Sequence, residues 1–256
     1  MSRLTELFDR KKSRILNVYC TAGYPGPDDT RAVLRALQAH GADIIELGMP
    51  YSDPLADGPV IQASSARALA GGMTIEKLFA QLEGFRNEIH LPLILMGYLN
   101  PLLQYGFDRF CARAAALGVD GLIIPDIPLA AFEREYKEIL EQHGLHLVFL
   151  VTPETPEARV RQLDAASSGF LYAVSSSSVT GAVKDFAAVE SYLRRLKELR
   201  LSNPVLVGAP ISRRWETGVT WTAPRRPSCK ACSRSLCSLT ASGGTGWTYR
   251  SPVWKL

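Results

Sequence analysis

The sequence predicts an α/β protein, either a closed (β/α)₈ barrel or an open, doubly wound parallel sheet. Seven short apolar runs rich in β-branched residues alternate with longer amphipathic segments, as expected for repeated strand–helix units. The chain has 256 residues, and a (β/α)₈ barrel takes roughly 250. No G-x-G-x-x-G motif follows the first apolar run, which argues against a dinucleotide-binding doubly wound sheet. We therefore favour the barrel.

The predicted strands are nearly continuous in apolar residues, which is typical of strands covered on both faces in a parallel sheet. They span residues 15–21, 43–49, 91–97, 121–126, 146–152, 169–175 and 204–208. The amphipathic segments between them predict helices, for example at 28–40, 107–118, 130–144 and 189–200. Asp28 and Thr30 suit the start of the first helix, and Gly118 and Gly144 suit the ends of the second and third.

The alternation of strands and helices stops after Gly208. Residues 209–256 contain all four tryptophans, three of the five cysteines, eight Lys or Arg and a single acidic residue. They show no helical or strand periodicity, although an eighth βα unit is expected there. The sequence therefore predicts a barrel body of seven strands at 1–208 and an aberrant basic tail at 209–256. It also predicts open edges on the first and seventh strands, because the strand that should join them is missing.

Composition and charge restrict the class of protein. Apolar residues make up 46% of the chain and charged residues 21%, as in ordinary globular proteins. The formal net charge of +4 comes from the tail, because residues 1–208 carry 21 Lys or Arg against 24 acids, so no nucleic-acid partner is indicated. No apolar run reaches the roughly 18 residues of a membrane span, and the N-terminus has no apolar signal core. A cytoplasmic protein that does not bind membranes is expected.

Cysteine and histidine positions do not predict a metal site. Cys20 and Cys111 lie in apolar surroundings, which favours reduced thiols over a disulfide framework. Cys229, Cys232 and Cys237 have a spacing that could suggest zinc, but a fourth ligand is missing. The four histidines have no ligand spacing and are expected on the surface.

Polar side chains collect at the predicted carboxyl ends of the strands, where the active sites of parallel barrels lie. Glu46 stands inside the apolar run DIIELGM, where an unpaired charge is costly to bury. Strand alternation points Glu46 into the barrel and Ile45 and Leu47 toward the helices. Asp53 and Asp57 follow in a loop rich in Pro and Gly, where each alone would be explained as a turn former. Other strands are followed or ended by Tyr19, Tyr98, Asp126, Tyr172 and the serine-rich loop 175–181.

The string ELGMPYSDPLADGPVIQ at 46–62 closely resembles the signature of the tryptophan synthase α family. Four further segments are similar to family segments: YCTAGYPGPD (19–28), LMGYLNPLLQYG (95–106), GLIIPDIP (121–128) and LYAVSSSSVTGA (171–182). The resemblance spans about residues 3–208. It implies a TIM barrel of tryptophan biosynthesis, a lyase that cleaves indole-3-glycerol phosphate into indole and glyceraldehyde 3-phosphate. It also implies an α₂β₂ heterotetramer with a β subunit, no cofactor on this chain and pyridoxal phosphate on the partner.

The resemblance implies a role for each polar residue of the site. Glu46 is the expected acid/base, since a carboxyl group in an apolar pocket has its pKa raised by desolvation and can shuttle protons. Asp57 is expected to stabilise the positive charge that forms on the indole nitrogen. The remaining matches are the substrate-binding residues Tyr19, Tyr98, Tyr172, Gly181 and Gly208, and the residues of loop closure and communication with the β subunit, Asp53, Asp126 and Thr180.

The sequence departs from the family after VGAPIS (207–212). The family continues with a glycine-containing loop, a helix, an eighth strand and a Gly-Ser pair that helps to bind the substrate phosphate, whereas this chain turns to Ser, Arg, Trp and Cys. We interpret the change as a frameshift, which resequencing of codons 205–215 would reject if it returned an unbroken frame. The alternative function is then a catalytically impaired, incomplete barrel that at most binds the β subunit. A different phosphate-binding barrel enzyme is a weaker alternative, because the string at 46–59 is specific.

Overall fold

The computed structural model describes residues 2–174 and 186–208 and the backbone of residues 250–255. This part of the chain contains nine strands, β1 to β9 in chain order. Their bounds are Asn17–Thr21, Ile44–Gly48, Leu93–Met96, Gly121–Ile123, His146–Val148, Leu150–Val151, Leu171–Val174, Val205–Gly208 and Arg250–Lys255. Each of the seven predicted apolar runs contains a strand, and the run at 146–152 contains two.

The sheet has the strand order of a barrel. Its order is β5-β4-β3-β2-β1-β9-β8-β7-β6, and β5 and β6 are two pieces of one run, separated at Phe149. Strands β1 to β5, and strands β6 to β8, pair in parallel with their neighbours in sequence. A doubly wound sheet would reverse its strand order in the middle, so the prediction of a parallel barrel is confirmed.

Apart from α1, which precedes β1, the helices follow the strands and cover the outside of the barrel. In chain order α1 to α10 are Arg3–Arg10, Thr30–Ala39, Pro59–Ala70, Ile75–Leu82, Leu99–Tyr105, Phe107–Leu117, Leu129–Ala131, Lys137–Gln142, Glu157–Ala166 and Phe186–Glu198. A 3₁₀ turn forms at Phe85–Asn87, and a π-helical turn at Phe132–Tyr136 joins α7 to α8. The four helices predicted from periodicity are present, with ends that differ by up to three residues. No helix in the described ranges is long and apolar enough to cross a membrane.

Strand β9 corrects the prediction that the tail contributes no strand to the sheet. It pairs antiparallel with β1 on one side and with β8 on the other, so the two edges predicted to be open are both covered. Its direction is set by the pairs Tyr19 with Arg250 and Asn17 with Val253, which take β9 from the mouth of the barrel toward the amino end of β1. Residues 209–249 lie outside the described part of the chain.

The inside of the barrel is closed at the amino ends of the strands by α1. Three side chains of α1, Leu4, Leu7 and Phe8, are buried there, and the rings of Phe8 and Phe170 meet edge to face at 6.1 Å. They pack on a layer of buried apolar side chains from the strands and their approaches, Ile15, Ile44, Ile94, Ile123, Val148, Phe170 and Leu206. Apolar burial of this kind is the main stabilising term of the fold. It seals one end of the barrel, so a ligand must enter from the other.

Strand alternation places successive side chains of β2 on opposite sides of the barrel wall. Ile45 and Leu47 belong to the large core between strands and helices, whereas Ile44 belongs to the interior layer above α1. Glu46 has the same parity as Ile44 and therefore projects into the barrel, one layer nearer the mouth. The predicted orientation of Glu46 is confirmed.

Asp120 is the centre of a buried charge network at the amino end of the barrel. Its carboxylate accepts hydrogen bonds from Arg86 at 2.6 Å, from Arg3 at 3.0 Å and from the backbone N–H of Leu93 at 2.8 Å. Burial lowers the pKa of Arg86 to about 10, with Asp120 opposing that shift, so the guanidinium remains charged at neutral pH. His146, expected on the surface, is half-buried beside this network and bonds Ser2 through Nε2 at 2.8 Å. That expectation was wrong for His146, because β5 starts under α1.

Replacing Asp120 with Ala is expected to lower the free energy of unfolding by about 3–5 kcal/mol, because Arg86 would be left buried without its counter-charge. Urea denaturation of both proteins measures the change. The control is Glu190→Gln, which breaks an exposed pair with Arg194 and should cost less than about 1 kcal/mol. Equal stability losses in the two variants would contradict the assignment.

Candidate active site

Glu46 lies on the inner wall of the barrel near the carboxyl end of β2. Only 1% of its surface is exposed. Its Oε1 accepts a hydrogen bond from Nδ2 of Asn17, a residue of β1 that is itself fully buried. A buried carboxyl group needs such a partner, because burial of an unpaired charge costs several kcal/mol. Glu46 is thus a buried carboxyl group that the Asn17 amide holds in place on a largely apolar wall.

Tyr19 forms the wall of the same layer. It is 7% exposed, and it lies opposite Glu46 in the pairing of β1 with β2. A Cβ on Gly48 would come within 2.0 Å of the Tyr19 hydroxyl oxygen, so glycine is required at that position for the ring to lean over β2. Between the two strands and the helices, burial raises the pKa of the Cys20 thiol to about 12, and the charge of Glu46 adds to the shift. Cys20 therefore stays protonated and does not compete for protons near neutral pH.

Asp57 reaches the mouth of the barrel through a loop built of tight turns. Its N–H donates to the carbonyl of Pro54 at 3.1 Å, and its own carbonyl accepts from Nε2 of Gln62 at 2.8 Å. Pro59 then begins α3, where a proline is well placed in the first turn. Asp57 is 6% exposed. The loop that was expected to be rich in turns therefore buries this carboxylate instead of displaying it to solvent.

The hydroxyl of Tyr98 ties this loop to the third strand. It accepts a hydrogen bond from the N–H of Ala56 at 2.9 Å and donates to the carboxylate of Asp57. Burial and the charge of Asp57 both raise the pKa of Tyr98, so it is a donor throughout the physiological range. The ring of Tyr51 lies against it, with 5.2 Å between centroids. Two tyrosines and a carboxylate thus form one side of the mouth.

Replacing Tyr98 with Phe is expected to reduce the catalytic rate about tenfold, because the hydroxyl that fixes Asp57 is lost while the ring remains; such a hydrogen bond to a charged group contributes about 1.5–3 kcal/mol. Steady-state kinetics and thermal melting should be measured together. The matched control is Tyr105→Phe, since the Tyr105 hydroxyl bonds Glu76 at 2.8 Å on the outside of the barrel. An equal loss of rate in both variants would show that the Tyr98 hydroxyl has no special role.

Tyr172 lies across the barrel mouth, on β7. A Cβ on Gly208 would approach its ring and hydroxyl to 2.3–2.5 Å, so the glycine that ends β8 makes room for this tyrosine, as Gly48 does for Tyr19. Tyr172 is half-buried. Gly208 was predicted as a substrate-binding residue, and the structure shows that it makes room for the side chain of Tyr172. Gly181 and Thr180, also predicted at the site, lie outside the described residues.

Asp53 and Asp126 lie at the outer rim of the mouth, and both are exposed. Asp53 accepts a hydrogen bond from the Ser52 hydroxyl at 2.5 Å, and Asp126 accepts one from the N–H of Leu99 at 2.9 Å. The second bond links the loop after β4 to the start of α5. Both residues therefore lie on the rim and do not line the interior.

The sequence prediction missed two residues of the site. Asn17 contacts Glu46 from the neighbouring strand, and Tyr51 packs against Tyr98. The signal for Asn17 was present in the sequence, since its amide stands inside the apolar run ILNVYCT as the acid stands inside DIIELGM, and both residue types are rarely buried. Tyr51 carried no such signal, because an aromatic residue in a loop has many explanations.

A second cleft, of about 450 Å³, lies at the opposite end of the barrel between α1 and the loop at Gly118–Asp120. Of its titratable lining residues, Asp120 is already paired with two arginines, His143 contacts Asp108, and Glu6 is exposed to solvent. Within the described ranges, no three His, Cys, Asp or Glu residues are grouped to hold a metal ion. Cys20 and Cys111 are buried thiols, as predicted, and Cys229, Cys232 and Cys237 lie outside those ranges.

The chemistry that this mouth can support is proton transfer in a water-poor pocket. Glu46 lies deep on an apolar wall, and Asp57 lies nearer the rim between a tyrosine hydroxyl and the start of α3. Two carboxyl groups in unlike environments can take different roles, one exchanging protons and the other staying charged. Aromatic rings at Tyr19, Tyr98 and Tyr172 suit a flat, apolar substrate.

Comparisons with known proteins agree with this geometry. The sequence profile of the family described as "Tryptophan synthase alpha chain" matches residues 6–219. The chain is 52% identical over 213 residues to the tryptophan synthase alpha chain of Parabacteroides distasonis, covering 83% of each chain. It is 50% identical to that of Flavobacterium johnsoniae over 213 residues, which is 83% of this chain and 84% of the relative.

Solved structures show the same similarity. Tryptophan synthase of Mycobacterium tuberculosis in space group F222 superposes with a TM-score of 0.75 at 36% identity, covering 84% of this chain and 83% of that one. Tryptophan synthase subunit alpha of Legionella pneumophila gives 0.74 at 34% identity, covering 82% and 79%. The family match ends at residue 219, so most of the tail lies outside it, and the boundary at 208 remains a prediction.

Proposed function

The chain belongs to the tryptophan synthase alpha chain family of tryptophan biosynthesis, and on that premise we propose that it cleaves indole-3-glycerol phosphate into indole and glyceraldehyde 3-phosphate. The observation that carries the proposal is the buried Glu46 on the inner wall, with Asp57 held at the rim by Tyr98. Release of indole from indole-3-glycerol phosphate by the purified chain, with and without a β subunit, tests it. No release under either condition would reject it for this chain.

In the proposed mechanism, Glu46 delivers a proton to the ring carbon that bears the glycerol phosphate chain. The pyrrole nitrogen then becomes an iminium, and loss of the proton from the adjacent side-chain hydroxyl forms the carbonyl of glyceraldehyde 3-phosphate. The carbon–carbon bond breaks, and its electron pair returns to the ring and restores neutral indole. One carboxyl group can serve as acid and then as base, since the first transfer leaves it ionised.

Asp57 supports the charged intermediate in this proposal. Positive charge develops on the indole nitrogen, and a fixed carboxylate in a site that excludes water stabilises it far more than the same group in water. The Tyr98 hydroxyl bond fixes the position of Asp57 before the charge appears. All of these steps are proton transfers and bond cleavage, so the proposal requires no cofactor on this chain.

We further propose that the mouth is the contact surface for a β subunit, in an α₂β₂ assembly whose partner carries pyridoxal phosphate. Three large apolar side chains are markedly exposed among the described residues, and all belong to segments next to the mouth: Leu55 at 90%, Val60 at 50% and Leu103 at 45%. Exposed apolar groups beside charged rim residues are typical of a protein interface. Indole would leave through this surface toward the partner.

Replacing Asp53 with Ala is expected to weaken the stimulation of indole release by the β subunit about fivefold, the lower range of allosteric coupling, while leaving thermal stability unchanged. Titration of β subunit into each variant measures it. Asp9→Ala is the control, because Asp9 is an exposed acid on α1 at the sealed end. An activation curve identical to that of the unmodified chain would remove Asp53 from the interface.

The second candidate function is a partner-binding barrel with little activity of its own. The direction of β9 favours it, since an antiparallel strand sends its carboxyl end away from the mouth and cannot bring a following loop to the substrate. Such a chain would bind the β subunit yet release indole slowly. The two candidates are separated by measuring binding to the β subunit and indole release on the same preparation.

A further inference from the structure

We propose that Asn17 is a positioning residue for the reaction, because it holds the carboxyl group of Glu46 from the layer below. The inference rests on the proposed function in assigning the proton transfer to Glu46. The contact itself does not depend on that assignment. Asn17 does not touch the substrate layer, so it acts through Glu46.

The place of Asn17 in the barrel is the first part of the argument. Asn17 pairs in register with Ile44, and Tyr19 pairs with Glu46, so Asn17 lies one layer nearer the sealed end than the carboxyl group it binds. Its Nδ2 donates to Oε1 of Glu46. This bond fixes the carboxyl group of Glu46 from the side of the sealed end.

The second part of the argument is that Asn17 lowers the stability of the fold. It is fully buried, and its Oδ1 has no hydrogen-bond partner among the described residues. The layer around it is otherwise formed by residues such as Ile44 and Ile94. A buried acceptor without a partner destabilises a protein, so an apolar residue would suit the fold better at this position. Residues that lower stability and bind a reactive group are typical of functional sites.

The third part of the argument is the effect of the Asn17 amide on proton binding by the Glu46 carboxyl group. An N–H that donates to a carboxylate favours its ionised form, whereas burial favours the neutral form. Asn17 therefore opposes the effect of the apolar wall and keeps Glu46 able to act both as acid and as base. Among the described residues, Tyr19 lies opposite Glu46 in the same layer. The thiol of Cys20 lies close to Glu46, and burial raises its pKa to about 12, so the thiol stays protonated near neutral pH and does not replace the amide.

The test is a titration of the Glu46 carboxyl carbon by ¹³C NMR on the full chain labelled at glutamate, with the resonance assigned from its loss in Glu46→Gln. In Asn17→Leu the midpoint is expected to rise by about one pH unit, the size of one hydrogen bond to a charged group. Ser167→Ala is the control, since Ser167 is a buried hydroxyl that accepts from the Phe149 N–H at 3.2 Å away from Glu46. An unchanged midpoint in Asn17→Leu would overturn the proposal.

A second variant covers the case in which Asn17→Leu does not fold. Asn17→Asp keeps the shape but places a second acid beside Glu46, so one of the two carboxyl groups should titrate at clearly higher pH.

Where the chain releases indole, Asn17→Leu should lower kcat about tenfold with KM little changed, and the acidic limb of the pH profile should move to higher pH together with the NMR midpoint. If Asn17→Leu loses activity while the acidic limb of its pH profile stays in place, the role of Asn17 is purely structural. If the unmodified chain releases no indole, the proposed function fails, and the NMR midpoint still decides the role of Asn17.

Discussion

Replacing Glu46 with Gln is expected to reduce indole release by about 10²–10⁴-fold, the usual effect of losing one positioned acid/base. The amide keeps the size of the side chain and can still meet Asn17, so the fold should survive. It cannot give or take the proton that the ring carbon and the hydroxyl exchange. Single-turnover assays of indole release measure the loss, and thermal melting checks the fold.

The matched variant is Asp57→Asn, which removes a charge at the rim and leaves the proton path intact. It should retain more activity than Glu46→Gln, because a tyrosine-bound amide still presents its oxygen dipole to the indole nitrogen. If the unmodified chain is too slow to assay, both changes belong in a version with a complete eighth βα unit. A Glu46→Gln enzyme that works at the unmodified rate would remove Glu46 from the mechanism.

The parts of this fold that could be predicted are those decided by local periodicity. Continuous apolar runs marked the parallel strands, and simple alternation placed Glu46 inside the barrel with Ile45 and Leu47 outside. Both follow from the two-residue repeat of a strand. The loop at 53–59 was also predictable as a series of turns, although its burial of Asp57 was not, because that depends on the Tyr98 hydroxyl 41 positions further along.

The parts that escaped prediction depend on register and on unsatisfied edges. Asn17 meets Glu46 only because β1 and β2 pair with Tyr19 opposite Glu46, and a sequence does not state its register. Strand β9 has no alternation to reveal it. Its pairing comes from the edges of β1 and β8, whose backbone N–H and C=O groups require partners. The surrounding sheet thus decides whether a segment of weak propensity becomes a strand.

Replacing residues 209–256 with the corresponding end of the Parabacteroides distasonis relative is expected to raise kcat/KM for indole release at least about 100-fold. A parallel eighth strand would end at the mouth and deliver the N–H groups of its following loop and helix to the substrate phosphate. Strand β9 runs the other way, from Arg250 beside Tyr19 to Lys255 beside Leu206, so its carboxyl end cannot supply them. Each hydrogen bond that the new strand adds to a charged phosphate is worth about 1.5–3 kcal/mol, and two of them account for a hundredfold or more.

The chimera is compared with the present chain in indole release at varied substrate concentration and in binding of inorganic phosphate. Most of the gain should appear in KM, because Glu46 and Asp57 lie in the part shared by both proteins and their geometry is set by β1 to β3. Adding Glu46→Gln to the chimera should abolish the gain, which distinguishes a restored active site from a chain that folds better but stays inactive.

Limited proteolysis should also cut the present chain first beyond about residue 209, whereas the chimera should resist cleavage there. Equal kcat/KM in the two proteins would show that a barrel closed by an antiparallel strand binds and cleaves the substrate as well as one with an eighth βα unit. The tail would then be a functional alternative to that unit.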